Sequence, residues 1–450
     1  MSPIHNSEET IVALSTPNGV GAIAVVRISG PDTYHIIKQC FRGPQIINPG
    51  RSTIYYGHIY HGEEMIDEVV LSCFWAPKSY TKEDCIEISC HGSMLIQRKI
   101  ISLLIQHGAR LARPGEFTQR AFLNGRFNLL QAEAVADIIA SESDAQLKLA
   151  LHQLKGGVSG KLKMMRTQLL DLTSLLELEL DFAEEDVEFA DRDQLVQTTR
   201  DILKEVRQLG DTFQYGNAIK NGIGVAIVGP PNVGKSTLLN NLLEDDKAIV
   251  SDIAGTTRDV IEDSMIIDGI LFRFIDTAGI RETDDHIEAL GIKRSKQMIE
   301  KSQIVIVLYD HLSEKKFIEE IITEVESFHK SFLLVRNKSD QSSTEIFTDE
   351  LPISALKHKN IEVLKEKLIA LTGTTVTPLA VTVSNVRHYE ELRQAAESLE
   401  RVIENIQNEI TLELVAQELR TSIYHIGSIT GEVTPDDILG NIFSKFCIGK

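Results

Sequence analysis

The residues with the clearest chemical meaning form a short run in the middle of the chain. Residues 229–236 read GPPNVGKS, directly after the apolar run GVAIV and directly before the helix-like run TLLNNLL. Glycines let a loop wrap closely around an anion, so that backbone N–H groups point at phosphate oxygens. Lys235 is then placed to reach the β- and γ-phosphates, and the Ser236 hydroxyl is placed to ligate Mg²⁺. The pattern predicts a nucleotide-binding phosphate loop.

Later motifs indicate which nucleotide is bound. Residues 255–259 read GTTRD, and residues 276–279 read DTAG after an apolar run, where a carboxylate can act on the Mg²⁺ shell. Residues 337–340 read NKSD, and the dipeptide SA follows at 354–355. The carboxylate of Asp340 can accept two hydrogen bonds from the N1–H and N2–H₂ edge of guanine, whereas adenine offers no such pair. The order of the motifs therefore predicts a GTPase.

The residue that follows DTAG raises a question about hydrolysis. In Ras a glutamine after this motif orients the attacking water, but this chain has Ile280, which cannot do so. Either hydrolysis is very slow, or another group replaces the glutamine: the carboxylates within residues 281–291, the arginines Arg258 and Arg281, or a cation near the side-chain oxygen of Asn232. The residues alone leave these alternatives open.

The elements that position these motifs follow from hydrophobic periodicity. Residues 216–372 alternate short apolar runs (GVAIVG, FRFID, IVIVLY and FLLVRN) with helical patterns, which predicts a doubly wound parallel sheet. Apolar seams at helical spacing lie on both sides of this region, which suggests that an α/β domain is inserted into one helical bundle. The seams comprise Leu162, Met165, Leu169, Leu172 and Leu176, and then Tyr389, Leu392, Ala396, Leu399, Ile403 and Ile406.

We therefore predict a multidomain α/β protein with four segments. Residues 1–118 alternate strand and turn patterns with helices after Pro31 and over 93–107, which predicts an α+β domain. Residues 119–215 form the first part of a helical domain. Residues 216–372 form the GTPase domain, and residues 373–450 form the second helical part.

Composition narrows the class of protein. The chain has 450 residues, a net charge of −19 and five cysteines without zinc-site spacing. We see neither a secretory signal nor an apolar run long enough to cross a membrane, so we expect a cytoplasmic protein without membrane association. We interpret the four arginines within residues 109–126 as a solvated face, with a tRNA-binding patch as the alternative. We interpret the acidic run 171–190 as solvated helix surface or a contact for a basic partner.

The sequence is similar to the MnmE (TrmE) family of tRNA-modification GTPases along its whole length. The motifs that carry the resemblance are GVGAIAVVRISG, EISCHG, RPGEFTQRAFLNGR, GPPNVGKST, IVSDIAGTTRD, DTAGIRETDDHIEALGI, NKSD and the terminal CIGK. The resemblance implies an N-terminal tetrahydrofolate-binding domain that also forms a homodimer, a helical domain, and an inserted Ras-like GTPase domain activated by its own dimerisation.

The same resemblance implies the reaction and its participants. With an FAD-dependent partner, MnmG, in a heterotetramer, such proteins add a carboxymethylaminomethyl-type group to C5 of the wobble uridine, position 34, of certain tRNAs. The one-carbon unit comes from a folate in its 5-formyl or methylene form. GTP is hydrolysed with Mg²⁺ and K⁺.

Site residues are implied position by position. The GTP-binding positions are Asn232, Val233, Gly234, Lys235, Ser236, Thr237, Ser251, Asp252, Ile253, Ala254, Gly255, Thr256, Thr257, Asp276, Thr277, Ala278, Gly279, Asn337, Lys338, Asp340, Ser354, Ala355 and Leu356. The metal positions are Asn232, Ser251, Ile253 and Thr256 for K⁺, and Ser236 and Thr257 for Mg²⁺. Glu288 corresponds to the family's water-orienting glutamate. The folate positions are Arg27, Glu87, Arg126 and Lys450, with arginine at 126 where the family leads us to expect lysine.

The end of the chain, SKFCIGK, carries the cysteine Cys447. The preceding Thr434-Pro435 has the signature of a helix start, and an apolar face follows, which predicts a helix that docks the tail. That face comprises Ile438, Ile442, Phe443 and Phe446. We predict that Cys447 is needed for tRNA modification, as a nucleophile or by shaping the site, with a core cysteine as the alternative.

Two other functions are weaker matches. A lipidated membrane switch would need an aliphatic residue at position 449, but the chain has Gly449 there and ends in Lys450. A ribosome-assembly GTPase of the Era type shares the nucleotide motifs. It would carry an RNA-binding domain after the GTPase domain, whereas the C-terminal stretch here has an apolar helical seam and lacks a KH-like GxxG in a basic setting.

Overall fold

The computed structural model describes residues 9–47, 51–181, 191–244, 263–275, 296–342, 345–372, 381–433, 436–444, 446 and 449. The chain packs into two compact units. The first comprises Met1–Ala136, Gln153–Ser174 and Arg420–Lys450, and the second comprises Asp137–His152 and Leu175–Leu419.

The first unit contains a seven-stranded sheet in the order β3-β4-β5-β6-β2-β1-β7. Neighbouring strands are antiparallel except β1 and β7, which are parallel. The strands are β1 (Ile11–Leu14), β2 (Ile23–Ser29), β3 (Phe41–Arg42), β4 (Thr53–His61), β5 (Glu64–Phe74), β6 (Cys85–His91) and β7 (Arg110–Leu111). Two helices belong to the same α+β layer: α1 (Thr33–Cys40) and α2 (Met94–Gln106).

The core of this layer follows the predicted periodicities. In β2 the alternate residues Ala24, Val26 and Ile28 are buried, because successive side chains of a strand point to opposite faces. In α2, within the predicted helix over 93–107, the buried set includes Ile100, Leu103 and Leu104, which lie on one face at helical spacing. The α+β prediction for this part of the chain is confirmed.

The remaining helices are distributed between the two units. They are α3 (Glu116–Leu123), α4 (Leu129–Ala140), α5 (Asp144–Leu154), α6 (Gly157–Asp181), α7 (Arg192–Asp211), α8 (Phe213–Asn221), α9 (Lys235–Glu244), α10 (Lys315–Ser327), α11 (Ile361–Leu371), α12 (Val386–Gln407), α13 (Leu412–Thr430) and α14 (Asp436–Ser444). Residues 296–301 are also helical. The predicted seam of α6 is confirmed, since four of its five residues are buried and Leu172 is half-buried.

The helices that flank the α/β region pack against each other in the second unit. Helix α7 runs along α12, and the rings of Phe213 and Tyr389 stack with centroids 4.6 Å apart. The Val383 N–H donates a hydrogen bond of 2.9 Å to the Thr212 hydroxyl. Helices from both sides of the α/β region therefore pack together, but the helix that runs along α12 is α7 and not the helix that carries the predicted seam. The buried face of α12 also includes His388 and Ser398, which an apolar pattern could not show.

The sheet of the second unit has the order β13-β12-β11-β8-β10-β9. Its strands are β8 (Ile223–Val228), β9 (Asp263–Ile267), β10 (Ile270–Phe274), β11 (Ile304–Tyr309), β12 (Ser331–Arg336) and β13 (Leu351–Pro352). The predicted doubly wound parallel sheet is confirmed, and it carries one additional edge strand, β9, that is antiparallel to β10. Asp268 and Gly269 join them, both with positive φ, as a two-residue hairpin turn requires. The Asp-Gly pair was the sequence signal for this hairpin.

The acidic run 171–190 is not uniformly solvated. Among its described residues Asp171 is exposed, but Glu179 is 7% exposed and forms an ion pair with Arg192 at the start of α7. A buried carboxylate needs a paired charge, so this acid belongs to the packing of the helical region and not to its solvated surface.

Candidate functional site

The phosphate loop lies where β8 ends and α9 begins. Asn232 and Gly234 both have positive φ, 61° and 97°, so the loop curls back before the helix starts at Lys235. The Lys235 ammonium donates to the carbonyls of Gly229 at 3.0 Å and Pro230 at 2.7 Å. Burial lowers the pKa of Lys235. The ammonium is thus held inside a ring of backbone, where a phosphate oxygen can take over its hydrogen bonds.

Glycine is required where this loop touches its neighbours. A Cβ on Gly229 would lie 1.8 Å from the Leu308 carbonyl oxygen at the end of β11. A Cβ on Gly234 would lie 2.4 Å from the amide nitrogen of Asn337. The loop is therefore packed directly on the ends of two neighbouring parallel strands, which is where α/β sheets form ligand sites.

Asn337 ties the phosphate loop to the segment that holds the base. Its side chain is buried, donates to the Val233 carbonyl at 2.8 Å and accepts from the Ala355 N–H at 2.9 Å. The Lys338 ammonium bridges the Asn232 carbonyl at 2.9 Å and the Asp310 carboxylate at 2.7 Å. These residues were predicted to bind GTP, and the structure brings them together as a brace. Sequence reasoning missed Asp310, although a carboxylate directly after β11 was a signal.

Asp340 presents the carboxylate predicted to read guanine. A hydrogen bond from Ser354, and a further one from Lys357, hold the pKa of Asp340 below its usual range. Its Oδ2 lies 3.4 Å from the Lys357 ammonium. The carboxylate is therefore ionised at neutral pH and can only accept hydrogen bonds, as two guanine N–H groups require. Leu356 directly precedes Lys357, is 75% exposed, and offers an apolar surface to a base.

A buried ionic network supports this base-reading loop. Glu350 accepts hydrogen bonds from the Tyr309 hydroxyl at 2.7 Å, from the Arg336 guanidinium, and from the N–H groups of Ile346 and Phe347. Although burial opposes the shift, these hydrogen bonds lower the pKa of Glu350. Arg336 directly precedes Asn337, so the network fixes both ends of the segment that contains NKSD.

We expect the Glu350→Gln variant to unfold at a lower temperature and to lose about 3 kcal/mol of stability, because it leaves the buried Arg336 charge without its carboxylate. Affinity for GDP should fall with it. The measurements are thermal unfolding and GDP titration. The matched control is Asp349→Asn, which changes the charge of an exposed neighbour. Equal unfolding temperatures for the two variants would contradict the role of Glu350.

A second candidate site is a cavity of about 470 Å³ in the first unit. Arg27 and Glu87 lie side by side on β2 and β6 and form an ion pair of 2.8 Å within it. Tyr80 packs against both arginines of the site, with its ring centroid 5.1 Å from the Arg27 guanidinium and 4.8 Å from that of Arg126. The volume suits a small organic ligand. The structure therefore brings together three of the four residues predicted to bind folate.

The chain terminus reaches this site. The Gly449 carbonyl accepts hydrogen bonds from Arg27 at 3.2 Å and from the Ser15 hydroxyl at 3.3 Å. Gly449 has a φ of 96°, and a Cβ there would lie 2.0 Å from the Leu14 carbonyl oxygen. In α14, Phe443 is buried, and Phe446 beyond it belongs to the same apolar cluster, which also contains Leu129. The predicted docking of the tail is confirmed.

The basic stretch 109–126 was misread as a solvated face. Arg120 is 6% exposed and pairs with Glu83 at 3.2 Å and Glu116 at 3.3 Å. Arg110 pairs with Glu116 at 2.6 Å and with Glu9 at 2.7 Å. Glu116 lies within the stretch itself, whereas Glu9 and Glu83 are distant in the sequence, so a local charge pattern could show only part of this neutralisation. Arg126 is exposed and lines the cavity.

Several predicted residues lie outside the described part of the chain. They are Ser251, Asp252, Ile253, Ala254, Gly255, Thr256, Thr257, Asp276, Thr277, Ala278, Gly279, Glu288, Cys447 and Lys450. Among the residues that are described, no group of three His, Cys, Asp or Glu side chains could hold a metal ion. Within the same residues, no helix is long and apolar enough to cross a membrane.

The fold and the site together define a class of protein. A doubly wound sheet with a phosphate loop after β8 and an NKSD loop after β12 is that of a P-loop GTPase, a hydrolase that acts on GTP. Comparison with known proteins gives the family. A family model described as the MnmE helical domain matches residues 129–447, and one described as the GTP-binding protein TrmE N-terminus matches residues 10–126.

Individual relatives agree along the whole chain. A tRNA modification GTPase MnmE from Cytophaga hutchinsonii is 47% identical, covering 99% of each chain. One from Parabacteroides distasonis is 49% identical, covering 98% of this chain and 100% of the relative. A structure of Era bound to MgGDPNP and 16S ribosomal RNA is 28% identical over 39% of this chain and 66% of that one, and its TM-score of 0.26 is too low to add to the assignment. The chain belongs to the MnmE family of GTPases.

Proposed function

We propose that this protein couples GTP hydrolysis to the modification of tRNA. With an FAD-dependent MnmG-type partner it adds a carboxymethylaminomethyl-type group to C5 of the wobble uridine, using a folate one-carbon unit, in the cytoplasm. The observation that carries the proposal is that one chain holds two separate sites. One is a nucleotide site with a phosphate loop and a guanine-binding motif, and the other is a cavity that contains the ion pair of Arg27 and Glu87.

The proposed roles at the GTP site follow the predicted positions. The phosphate loop 232–237 binds the phosphates, Asp340 reads guanine, and residues 354–356 line the base. Ser236, in the first turn of α9, fits a Mg²⁺ ligand together with Thr257, since hard cations prefer oxygen donors. The Mg²⁺ ion would offset part of the negative charge of the phosphates. Glu288 is proposed to orient the attacking water.

We expect GTP turnover to be roughly tenfold or more faster in KCl than in NaCl at equal ionic strength. Asn232 is exposed on the phosphate loop, so its side-chain oxygen is accessible to a monovalent cation, together with Ser251, Ile253 and Thr256. Charge placed beside the developing transition state contributes several kcal/mol. The Asn232→Ala variant should lose the difference between the salts and keep GDP binding. Equal rates of the unchanged protein in both salts would exclude the K⁺ site.

The proposed folate site is the cavity of the first unit. The Glu87 carboxylate, held by Arg27, can accept the ring N–H groups of a pterin, in the same way that Asp340 suits guanine. Arg126 and the terminal Lys450 supply positive charge for the ligand's carboxylates. The same unit is proposed to form the homodimer, and an exposed apolar face on β4 and β5 supports this. That face includes Ile54, Tyr56 and Val70.

We expect removal of residues 448–450 to weaken binding of 5-formyltetrahydrofolate about tenfold or more. The deletion takes away the Gly449 carbonyl that orients the Arg27 guanidinium, and hydrogen bonds to charged groups contribute about 1.5–3 kcal/mol. Isothermal titration measures the affinity.

The Cys447→Ser variant should lose tRNA modification. GTP turnover should persist in both variants, since the phosphate loop belongs to the other unit. Normal modification in both would remove the tail from the proposed site.

Mass spectrometry of wobble uridines in cells that lack this protein tests the whole proposal. We expect the C5 modification to disappear and to return with the intact gene but not with an Asp340→Asn form. Unchanged uridines together with defective ribosome assembly would favour the Era-type alternative. Because the net charge is −19, we also propose that tRNA binds tightly only when the partner is present.

A further inference from the structure

The cavity of the first unit is lined by more positive charge than its own acids can neutralise. Among the residues that the structure describes, four cationic side chains line it together with a single acidic one, Glu87. Arg27 is already committed to Glu87 and to the Gly449 carbonyl. The other three cations are Lys78, Lys82 and Arg126. Over the described ranges, none of these three forms an ion pair with a carboxylate, so their charge is available to a ligand.

The charges are graded along the cavity. The side chains of Arg27 and Glu87 are 11% and 27% exposed, whereas Lys78 and Arg126 are exposed residues. A ligand whose ring occupies the Arg27–Glu87 end would therefore leave the cavity past the exposed cations. Arg126 is held there by its hydrogen bond to the Ser79 carbonyl at 2.9 Å.

Lys82 has an unusual backbone for a lysine. Its φ is 59°, a left-handed conformation that is uncommon for residues other than glycine. Its ammonium donates a hydrogen bond of 2.9 Å to the carbonyl of Gly125, the residue that directly precedes Arg126. A residue kept in a disfavoured conformation points to a use for its side chain. Here the conformation brings a second cation beside the first.

We propose that Lys78, Lys82 and Arg126 form a subsite for a chain of carboxylates, and that the cavity selects folates that carry a γ-linked oligoglutamate tail. The inference rests on the proposed folate site. A single glutamate cannot satisfy three cations at once, whereas an oligoglutamate places one further carboxylate on each added residue. RNA phosphates would suit the same charges, but the cations lie on the lining of a small-molecule cavity, which favours the tail.

The test compares 5-formyltetrahydrofolate with one and with three glutamates, by isothermal titration of the full-length protein in about 0.1 M salt. Exposed ion pairs each contribute little, so we expect the triglutamate to bind roughly tenfold more tightly through their sum. The Lys78→Gln, Lys82→Gly double variant should reduce this ratio to about two or less. Higher salt should narrow the ratio for the unchanged protein.

The choice of variants separates the effect of losing a positive charge from an effect on folding. Glycine adopts positive φ freely, so Lys82→Gly removes the ammonium without straining the turn, and thermal unfolding should verify that the variant is folded. The matched control is Lys38→Gln, which removes an exposed lysine that does not line the cavity and should keep the tenfold ratio.

Each remaining result decides against the proposal in a distinguishable way. Equal binding of both ligands by the unchanged protein overturns the tail subsite and leaves the folate site standing. A double variant that keeps the ratio, but binds tRNA less tightly in the presence of the partner, assigns the cations to RNA. Failure of both ligands to bind overturns the folate site itself, and the tail subsite falls with it.

Discussion

The Asp340→Asn variant is expected to lose affinity for GDP by a factor on the order of 10³ and to gain affinity for xanthine nucleotides. The carboxylate is ionised and accepts two N–H groups from guanine, whereas an asparagine amide directs one N–H at the guanine amino group. Xanthine carries a carbonyl oxygen at that position, and the amide can donate to it. Competition of GDP and XDP for a fluorescent nucleotide measures the change.

The control for this exchange is Glu345→Gln, which changes an exposed acid close to the base-reading loop. It should keep guanine selectivity. An Asp340→Asn protein that still prefers GDP over XDP would show that another group reads the base. Loss of both nucleotides would instead indicate a damaged fold, and the unfolding temperature of the variant distinguishes that outcome.

The Glu288→Ala variant is expected to hydrolyse GTP about 10²-fold or more slowly while its nucleotide affinity stays the same. A group that positions or activates the attacking water contributes within this range, and Ile280 cannot supply it. Single-turnover hydrolysis and GDP titration separate the two effects. The prediction depends on the family resemblance, because Glu288 lies outside the described residues.

Neighbouring carboxylates provide the comparison. Glu282→Ala and Asp285→Asn change acids of the same segment to which no role in hydrolysis is assigned, and both variants should hydrolyse GTP within about threefold of the unchanged protein. Normal turnover by Glu288→Ala, with a slow Glu282 or Asp285 variant, would transfer the water-orienting role to that residue. Normal turnover by all three would leave a cation or an arginine as the remaining candidate.

The sequence predicted most of the architecture because hydrophobic period reports local geometry. The strand runs of the α/β region, the α2 face and the α6 seam lie where the spacing placed them. The sequence analysis did not predict the antiparallel strand β9. The Asp268-Gly269 pair was a signal for the hairpin that joins β9 to β10. The buried face of α12 differs from the predicted apolar seam, because the polar residues His388 and Ser398 are also buried.

By itself, the sequence determined the class of nucleotide and the family. The phosphate loop and the NKSD motif with its guanine-binding carboxylate are short segments, and their chemistry depends on the local spacing of residues. Only the tertiary structure decided which charges are available to ligands. Arg110 and Arg120 each pair with an acid from another segment, Glu9 and Glu83, in addition to the local Glu116. Glu179 is buried against Arg192, and the Gly449 carbonyl accepts a hydrogen bond from Arg27 across 422 residues. Charge pairing and burial depend on distance in space, and a linear pattern records only distance along the chain.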